Sequence, residues 1–247
     1  MKRKITIALA GNPNAGKTTV FNAITGARQH IANYPGVTVE KKYGMVHHRD
    51  FDIEVVDLPG TYSLTAYSLE EIVARNFIVD ERPGLVVDIV DASNLDRNLY
   101  LAVQLKELGV PLLLALNMMD VAESRGIAID VKALSEQFGL PVAPMVARSN
   151  RGIKELLDKV VEVAQEDPEW RMAPISYGMD IDRALDEISD IIEKSSVFDP
   201  KYPTRWRALK CLEGDSQITG LLKRDPALGK EIEARCETLY RHMMNTV

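Results

Sequence analysis

The sequence has few cysteines and no excess of basic residues. Cys211 and Cys236 are distant in the chain and outside any C-x-x-C spacing, so neither a disulfide framework nor a zinc site is expected. Lys and Arg number 30 against 36 Asp and Glu, which gives a formal net charge of -6. A surface that binds a nucleic-acid backbone needs a clustered excess of Lys and Arg. We therefore expect a chain from a reducing compartment that does not bind nucleic acid.

Long apolar runs are also missing. The most apolar stretches are residues 85–90 and 110–116, far short of the roughly 20 residues that cross a bilayer as a helix. The first residues, MKRKI, lead directly into a strand-like segment without the apolar region of a signal peptide. Because 46% of the residues are hydrophobic, we expect a soluble chain with a sizeable buried core.

Short apolar runs alternate with amphipathic segments over residues 4–165. This alternation predicts an α/β fold in which a mostly parallel sheet is flanked by helices. A further strand at residues 38–48 is expected to pair antiparallel with the next one, because only Arg49 and Asp50 separate them. The other strands are predicted at residues 5–10, 51–57, 85–91, 112–117 and 142–146.

The strand pattern stops at a junction that contains prolines. The sequences DPEW at 167–170 and AP at 173–174 are a segment through which a helix is not expected to run. Beyond it, apolar residues recur at helical spacing. They include Ile181, Leu185, Ile188 and Ile192, followed by stripes within residues 206–212, 221–222 and 228–244. We predict two domains, an α/β domain at residues 1–166 and a small all-helical domain at residues 167–247.

The clearest motif is a phosphate-binding loop. Residues 11–18, GNPNAGKT, match G-x-x-x-x-G-K-[ST] between a predicted strand and a helical pattern. In such a loop, backbone N–H groups surround a phosphate, glycines leave room for its approach, and a helix N-terminus favours the anion. Lys17 is then expected to reach the β- and γ-phosphates and the Thr18 hydroxyl to bind Mg²⁺.

Two further segments complete a site for phosphate and Mg²⁺. Residues 57–60, DLPG, end a predicted strand, so Asp57 is expected to hold Mg²⁺ through water and the Gly60 N–H to approach the γ-phosphate. Thr38 either closes on Mg²⁺ in the triphosphate state or is only a β-forming residue that enters a strand. If Thr38 is the sensor, residues 27–37 should become ordered with a triphosphate. Many GTPases carry a water-orienting Gln after D-x-x-G, whereas this chain has Thr61.

The base is predicted from residues 117–120, NMMD. Guanine offers N1–H and an exocyclic amine to a carboxylate, and adenine offers no such pair. Asp120 therefore predicts GTP as the substrate, while Asn117 would brace the surrounding loops and Met118 would lie along the purine. The loop at Val146, Ala147 and Arg148 is expected to bring a backbone N–H to the guanine carbonyl.

The predicted site therefore combines five segments of the chain. We expect catalytic contributions from Asn14, Lys17, Thr38 and Gly60, and magnesium contacts from Thr18, Thr38 and Asp57. The predicted nucleotide-binding residues are Gly11, Asn12, Asn14, Ala15, Gly16, Lys17, Thr18, Thr19, Asp57, Gly60, Asn117, Met118, Asp120, Val146, Ala147 and Arg148.

The pair His47 and His48 does not predict a metal site. Neighbouring residues of a strand point to opposite faces, so the two rings cannot bind one ion. We interpret both as ordinary strand residues.

Four blocks of the sequence occur together: NYPGVTVE at 33–40, followed by Gly44, then DLPGTYSL at 57–64, DASNLDRNLY at 91–100 and LNMMD at 116–120. Together they resemble the N-terminal GTPase domain of the bacterial FeoB ferrous iron transporters. The resemblance extends over residues 1–165. The sequence departs from the family at Val146, where Ser is usual, and at Asp96, where Glu is frequent.

The resemblance implies a cytoplasmic part of an iron(II) transporter. In the family, a helical domain described as stabilising bound GDP follows the GTPase domain, and a membrane permease follows that. It also implies hydrolysis that is slow by itself and assisted by K⁺, which is held in part by the P-loop asparagine, here Asn14. The expected location is the cytoplasmic face of the bacterial inner membrane, with homo-oligomers as a possible state.

Two other functions stay open from the residues alone. One is a soluble GTPase of ribosome assembly or tRNA modification, which usually has a basic RNA-binding appendage. The other is a nucleotide-binding scaffold with negligible turnover, which Thr61 in place of Gln would permit.

Overall fold

The computed structural model describes residues 3–26, 29–34, 36–65, 67–166 and 175–246, with the side chains of 245 and 246 left out. The chain divides into two compact units, Met1–Arg171 and Met172–Val247. The predicted boundary at residues 166 and 167 stays a prediction, because the proline-containing junction at 167–174 lies outside the described residues.

The first unit is built on one sheet. Its strands are β1 (Arg3–Gly11), β2 (Gln29–Asn33), β3 (Glu40–His48), β4 (Phe51–Asp57), β5 (Leu85–Asp91), β6 (Leu112–Asn117) and β7 (Val142–Pro144). The described strands are ordered β2-β3-β4-β1-β5-β6-β7. β1 lies between β4 and β5 and is parallel to both, and β6 and β7 continue the parallel part.

Two strands at one edge of the sheet run antiparallel. β3 pairs with β4 in the register His48 to Phe51, so Arg49 and Asp50 form the predicted two-residue turn. Arg49 adopts a left-handed backbone with φ 53°, a conformation that such tight hairpins require. The predicted hairpin and the mostly parallel sheet are confirmed.

Helices cover the sheet. In the first unit they are α1 (Lys17–Thr25), α2 (Leu69–Glu81), α3 (Leu95–Glu107), α4 (Met119–Ser124), α5 (Val131–Phe138) and α6 (Ile153–Gln165). α2 begins at a complete capping box, because the Ser68 hydroxyl accepts the Glu71 N–H and the Glu71 carboxylate accepts the Ser68 N–H. Such a box satisfies two backbone donors that a helix start leaves free.

The main core lies between the sheet and helices α1 and α6. Alternate residues of the parallel strands face it, so that Leu85, Val87 and Ile89 of β5 are all fully buried there. α1 contributes Val20 and Phe21. The opposite face of the sheet receives α3, which packs against β5 and β6. Asp88 lies on that opposite face, because successive strand residues alternate.

The second unit is helical, as predicted. Its helices are α7 (Met179–Glu193), α8 (Thr204–Leu212), α9 (Ser216–Leu222) and α10 (Pro226–Thr246), and α7 packs against α8 and α10. Leu185, Ile188 and Ile192 of the first predicted stripe are buried. The last predicted apolar stripe, residues 228–244, is too long, because Met244 is exposed near the end of α10.

One strand was missed, and several predicted strand limits were wrong. β2 was missed, because it is an exposed edge strand without an apolar alternation. β3 begins at Glu40 and not at residue 38, since the Tyr34 N–H donates to the Val39 carbonyl and closes a turn before the strand. β7 ends at Pro144 and not at 146, because the Val146 N–H turns back to the Arg151 carbonyl.

Candidate nucleotide-binding site

The predicted site lies at one edge of the sheet. Gly11, Asp57 and Asn117 are the last residues of β1, β4 and β6. These strands are parallel, so their carboxyl ends meet at the same edge, which is where open α/β sheets bind ligands. The topology therefore brings together motifs that are far apart in the sequence.

The P-loop joins β1 to α1. Asn14 and Gly16 both adopt a left-handed backbone, with φ of 69° and 88°. The Ala15 N–H donates to the Asn12 carbonyl at 3.1 Å and closes the turn. α1 then begins at Lys17, so the first-turn N–H groups of a nine-residue helix face the loop. Such a helix start attracts a phosphate because of its free donors and its dipole.

Gly16 is required by close packing as well as by its backbone angle. A Cβ atom at this position would lie 2.3 Å from the Nδ2 atom of Asn117. Any larger residue would therefore push the P-loop away from the end of β6. Gly11 is similarly confined, since its Cβ would lie 2.6 Å from the Ile89 carbonyl oxygen.

Lys17 and Asp57 form a buried ion pair. The Lys17 ammonium donates to the Asp57 carboxylate, and both side chains are largely enclosed. The pair places a phosphate-binding cation beside the acid that is predicted to hold Mg²⁺. Thr18 and Thr19 follow in the first turn of α1 and are exposed.

Asn117 connects three loops of the site. Its side-chain amide donates to the Ala15 carbonyl at 3.0 Å, and its oxygen accepts the Ala147 N–H at 3.0 Å. Asn117 is only 3% exposed. One buried side chain therefore ties the P-loop to the loop at 146–148, in agreement with the bracing role expected from the sequence.

Asp120 lies beside Arg148 at the start of α4. The Arg148 guanidinium is 2.5 Å from the Asp120 carboxylate, and the two side chains are 76% and 25% exposed. Met118 precedes the helix with a left-handed backbone, φ 62°, which turns the chain from β6 into α4. Val146 and Ala147 are buried, so that of this loop only Arg148 offers a freely exposed side chain.

The segment after Asp57 approaches the P-loop. A Cβ atom on Gly60 would lie 3.4 Å from the Pro13 Cα atom, and the Thr61 N–H donates to the Gly11 carbonyl at 3.2 Å. The Thr61 hydroxyl donates to the Ser63 carbonyl and is buried. The Thr61 side chain therefore points toward its own loop and bonds to it.

The segment that contains Thr38 is anchored by an aromatic residue for which the sequence predicted no role. Tyr34 is 5% exposed, packs edge-on against Phe77 of α2 and donates its hydroxyl to the Asp57 carbonyl at 3.4 Å. Burial, and then the nearby Asp57 carboxylate, raises the pKa of the Tyr34 hydroxyl. Thr38 itself is exposed between β2 and β3. Residues 27, 28 and 35 of this segment lie outside the described residues.

The structure thus groups most of the predicted residues but not all. Ala15, Asn117 and Ala147 are joined, as are Lys17 with Asp57 and Asp120 with Arg148. Asn14 and Thr38 are exposed and take part in none of these contacts. Their predicted roles, like those of the other site residues, stay predictions.

The two histidines have separate partners. His47 lies 3.0 Å from Asp52, and His48 lies 2.7 Å from Asp158 of α6. Over the part of the chain that the structure describes, three or more His, Cys, Asp or Glu side chains nowhere converge as a metal cluster. The predicted Mg²⁺ set is of another kind, one carboxylate with two hydroxyls, and its remaining ligands would be water and phosphate oxygens.

Comparison with known families gives two matches along the chain. Residues 5–160 match the family described as Ferrous iron transport protein B, and residues 177–247 match the FeoB cytosolic helical domain.

Individual relatives agree with these matches. The Fe(2+) transport protein A/Fe(2+) transporter FeoB fusion protein of Porphyromonas gingivalis is 43% identical over 224 residues, 90% of this chain and 26% of its own length. The structure of a mutant of S. thermophilus NFeoB bound to mGDP has a TM-score of 0.88 at 37% identity and covers 98% of this chain and 91% of its own.

A second solved structure is the cytosolic domain of the T. maritima FeoB iron transporter in a GDP form. It has a TM-score of 0.84 at 31% identity and covers 97% of this chain and 99% of its own. The chain spans about a quarter of the length of the curated relatives it matches. No described helix is both long enough and apolar enough to traverse a bilayer.

Proposed function

The chain belongs to the family of ferrous iron transport protein B, and from this premise we propose that it binds GTP and hydrolyses it to GDP and phosphate. The observation that carries the proposal is the convergence of Lys17, Asp57 and Asn117 at one sheet edge. Two similar structures are described as bound to mGDP and as a GDP form, which supports a guanine nucleotide as the ligand of this chain.

The phosphates are expected at the P-loop and the start of α1. Backbone N–H groups and the Lys17 ammonium would bind them, and the Lys17 to Asp57 contact would open as the lysine turns to the phosphate. Thr18, Asp57 and Thr38 fit a magnesium ion, because hydroxyl and carboxylate oxygens are its preferred ligands. Bound there, Mg²⁺ would neutralise charge on the β- and γ-phosphate oxygens.

The guanine is expected beside Asp120. Its carboxylate would accept the N1–H and the amine of the base, and Met118 would cover the purine. Arg148 now pairs with Asp120, so binding of the base would require Arg148 to move away. Its 76% exposure leaves it free to do so.

A direct test compares nucleotides and a lysine control. The chain should release phosphate from GTP and not from ATP, and Lys17→Ala should strongly reduce turnover. Lys132→Ala is a suitable control, because Lys132 is 86% exposed on α5, where it pairs with Glu136. Equal turnover of ATP and GTP, or normal turnover by Lys17→Ala, would contradict the proposal.

We further propose that K⁺ assists hydrolysis. Thr61 cannot orient water as a Gln would, since its hydroxyl is committed to Ser63, and a cation on the transition-state phosphates has the effect of an arginine finger. Asn14 is exposed on the P-loop, and its amide oxygen is a hard ligand suited to K⁺. GTP turnover should be faster in K⁺ than in Na⁺ at equal ionic strength, and Asn14→Ala should remove the difference. Equal rates for the unmodified chain would exclude this role.

The proposed setting is regulation of Fe²⁺ passage through a membrane permease at the cytoplasmic face of the bacterial inner membrane. It rests on the names of the relatives and on the quarter of their length that the chain spans. Family membership favours this function over a GTPase of ribosome assembly or tRNA modification. Lys17→Ala in the complete transporter should reduce iron uptake by cells, whereas undiminished uptake would separate GTP hydrolysis from transport.

The helical unit is proposed to alter nucleotide release. The sequence of this region places no acid, base or nucleophile in a recognisable catalytic constellation, and the match to the FeoB cytosolic helical domain supports a role beside the nucleotide domain. Removal of residues 167–247 should change the GDP dissociation rate, measured with a fluorescent GDP. An unchanged rate would leave this unit a structural or coupling role, and assembly into homo-oligomers would then be the next property to measure.

A further inference from the structure

The segment after Gly60 is held by buried groups from two helices. The Leu64 N–H donates to the Gln104 side chain of α3 at 2.6 Å, and the Leu64 carbonyl accepts from the buried Arg75 of α2 at 3.3 Å. The backbone N–H and the backbone carbonyl of Leu64 are therefore both bound inside the protein. Such contacts hold the segment in one position, because a buried backbone group without a partner is costly.

A second arginine contacts the same segment from the surface. The Arg97 guanidinium lies 4.2 Å from the centre of the Tyr62 ring. Arg97 is exposed at the start of α3, and Tyr62 is 40% exposed. A guanidinium over an aromatic ring at this distance is an attractive cation–π contact.

Arg97 also contacts the P-loop. Its carbonyl accepts a hydrogen bond from the Asn12 side-chain amide at 3.3 Å, and Asn12 is 3% exposed. One residue of α3 therefore touches both the phosphate-binding loop and the residue two positions after Gly60. The sequence block 91–100 that contains it has no part in the predicted binding of phosphate, base or metal.

We propose that Arg97 is a positioning residue for GTP hydrolysis that holds Tyr62, and through it the Gly60 backbone, in register with the P-loop. The inference rests on the proposed GTPase function. Thr61 offers no side chain to orient water, so the geometry at the γ-phosphate depends on the backbone of this segment. Gly60 already approaches Pro13 closely, and a shift of the segment would move its N–H from the phosphate.

The expected effect is on turnover and not on nucleotide affinity. Arg97→Ala should lower kcat about two- to fivefold, the range that an exposed cation–π contact supports. Tyr62→Ala should lower it by the same factor, whereas Tyr62→Phe keeps the ring and should stay near the unmodified rate. Arg97→Lys keeps a cation, so its kcat should lie between that of Arg97→Ala and that of the unmodified chain. KM for GTP and the affinity for GDP should stay near their unmodified values in all four variants.

A double-mutant cycle on the full chain tests the coupling. If the two side chains act through each other, Arg97→Ala combined with Tyr62→Ala should be no slower than the slower single variant. Arg3→Ala is a matched control, because Arg3 lies over the Phe51 ring at 5.4 Å at the other end of β1. Its kcat should equal that of the unmodified chain.

The outcomes separate this inference from the proposed function. Single variants with unmodified kcat, or losses that multiply in the double variant, would overturn the role of Arg97 while GTP hydrolysis stands. Losses confined to KM would also overturn it, since they indicate binding and not positioning. An unmodified chain without GTP turnover would overturn both.

Discussion

Asp88 should make the folded state less stable as the pH rises. It lies in the middle of β5, is 1% exposed, and its strand neighbours are Ala10 of β1 and Leu114 of β6. Its Oδ2 atom is buried without a hydrogen-bond partner. Burial therefore raises the pKa of Asp88 from its ordinary value of 3.8 to about 7, because an ionised carboxylate loses its hydration there.

The sign and the size of the effect follow from this shift. The folded state keeps the proton on Asp88 to a higher pH than the unfolded state, so stability is lost as the pH rises from the unfolded pKa to the folded one. A shift of about three pH units corresponds to about 4 kcal/mol. Most of that loss should fall between about pH 5 and about pH 8, where it amounts to about 3 kcal/mol.

Asp88→Asn should remove this pH dependence, because the amide has no proton to lose. Native-state hydrogen exchange of the β5 amides, corrected for the intrinsic rate, reports the opening free energy of this sheet without requiring both units to unfold together. The variant should gain protection over the unmodified chain as the pH rises. If the opening free energies of the variant and the unmodified chain differed by the same amount at pH 5 and pH 8, the reasoning would be refuted.

Asp158→Asn offers a control of opposite sign. The hydrogen bond from His48, before all other causes, lowers the pKa of Asp158. Its contribution to stability is therefore present above the unfolded pKa and lost as the pH falls through the folded one. The variant should be less stable than the unmodified chain near neutral pH, and the deficit should shrink in acid.

Four further outcomes follow from the site. Asp120→Asn should weaken GTP and strengthen XTP, whose C2 carbonyl would accept the new amide donor, and an unchanged preference in competition binding would remove Asp120 from base recognition. Lys17→Ala should cost on the order of 2 to 3 kcal/mol in triphosphate binding or in the barrier, with an unchanged circular dichroism spectrum. Asn117→Ala leaves one backbone carbonyl and one backbone N–H buried and unpaired, which costs about 1 to 3 kcal/mol for each group. The denaturation midpoint of the variant and its affinity for nucleotide should therefore both fall. A midpoint equal to that of the unmodified chain would contradict the bracing role. If Thr38 senses the triphosphate, residues 29–34 should be better protected from hydrogen exchange with a GTP analogue than with GDP, and equal protection would count against it.

Family membership, a mostly parallel sheet and its antiparallel hairpin could be predicted from the sequence. The P-loop, DLPG and NMMD motifs are each a few consecutive residues at the end of an apolar run, so local periodicity and spacing contain the information. The two-residue turn at Arg49 and Asp50 was predicted for the same reason. The helical character of residues 179–246 also follows from periodicity, although the exposed Met244 shows that an apolar residue near a helix end need not be buried.

The links between motifs depended on the tertiary structure. Asn117 reaches Ala15 across 102 residues and Ala147 across 30, and no sequence spacing indicates which backbone groups its amide will meet. β2 carried no apolar alternation, because an exposed edge strand has no buried face to select one.

Arg97 and Asp88 are the clearest examples of residues whose role the sequence does not reveal. In the sequence, nothing distinguishes Arg97 from another exposed helical arginine. In the folded chain, the Tyr62 ring lies under its guanidinium and the Asn12 side-chain amide donates to its carbonyl. Asp88 stands within an apolar run, and its carboxyl is removed from water only because the fold covers that face of β5, against which α3 packs. The residues that could bind a nucleotide were identified from the sequence alone, because each motif is a short local pattern. The side chains that hold those motifs together became apparent only in the folded chain, because such contacts join residues that lie far apart in the sequence.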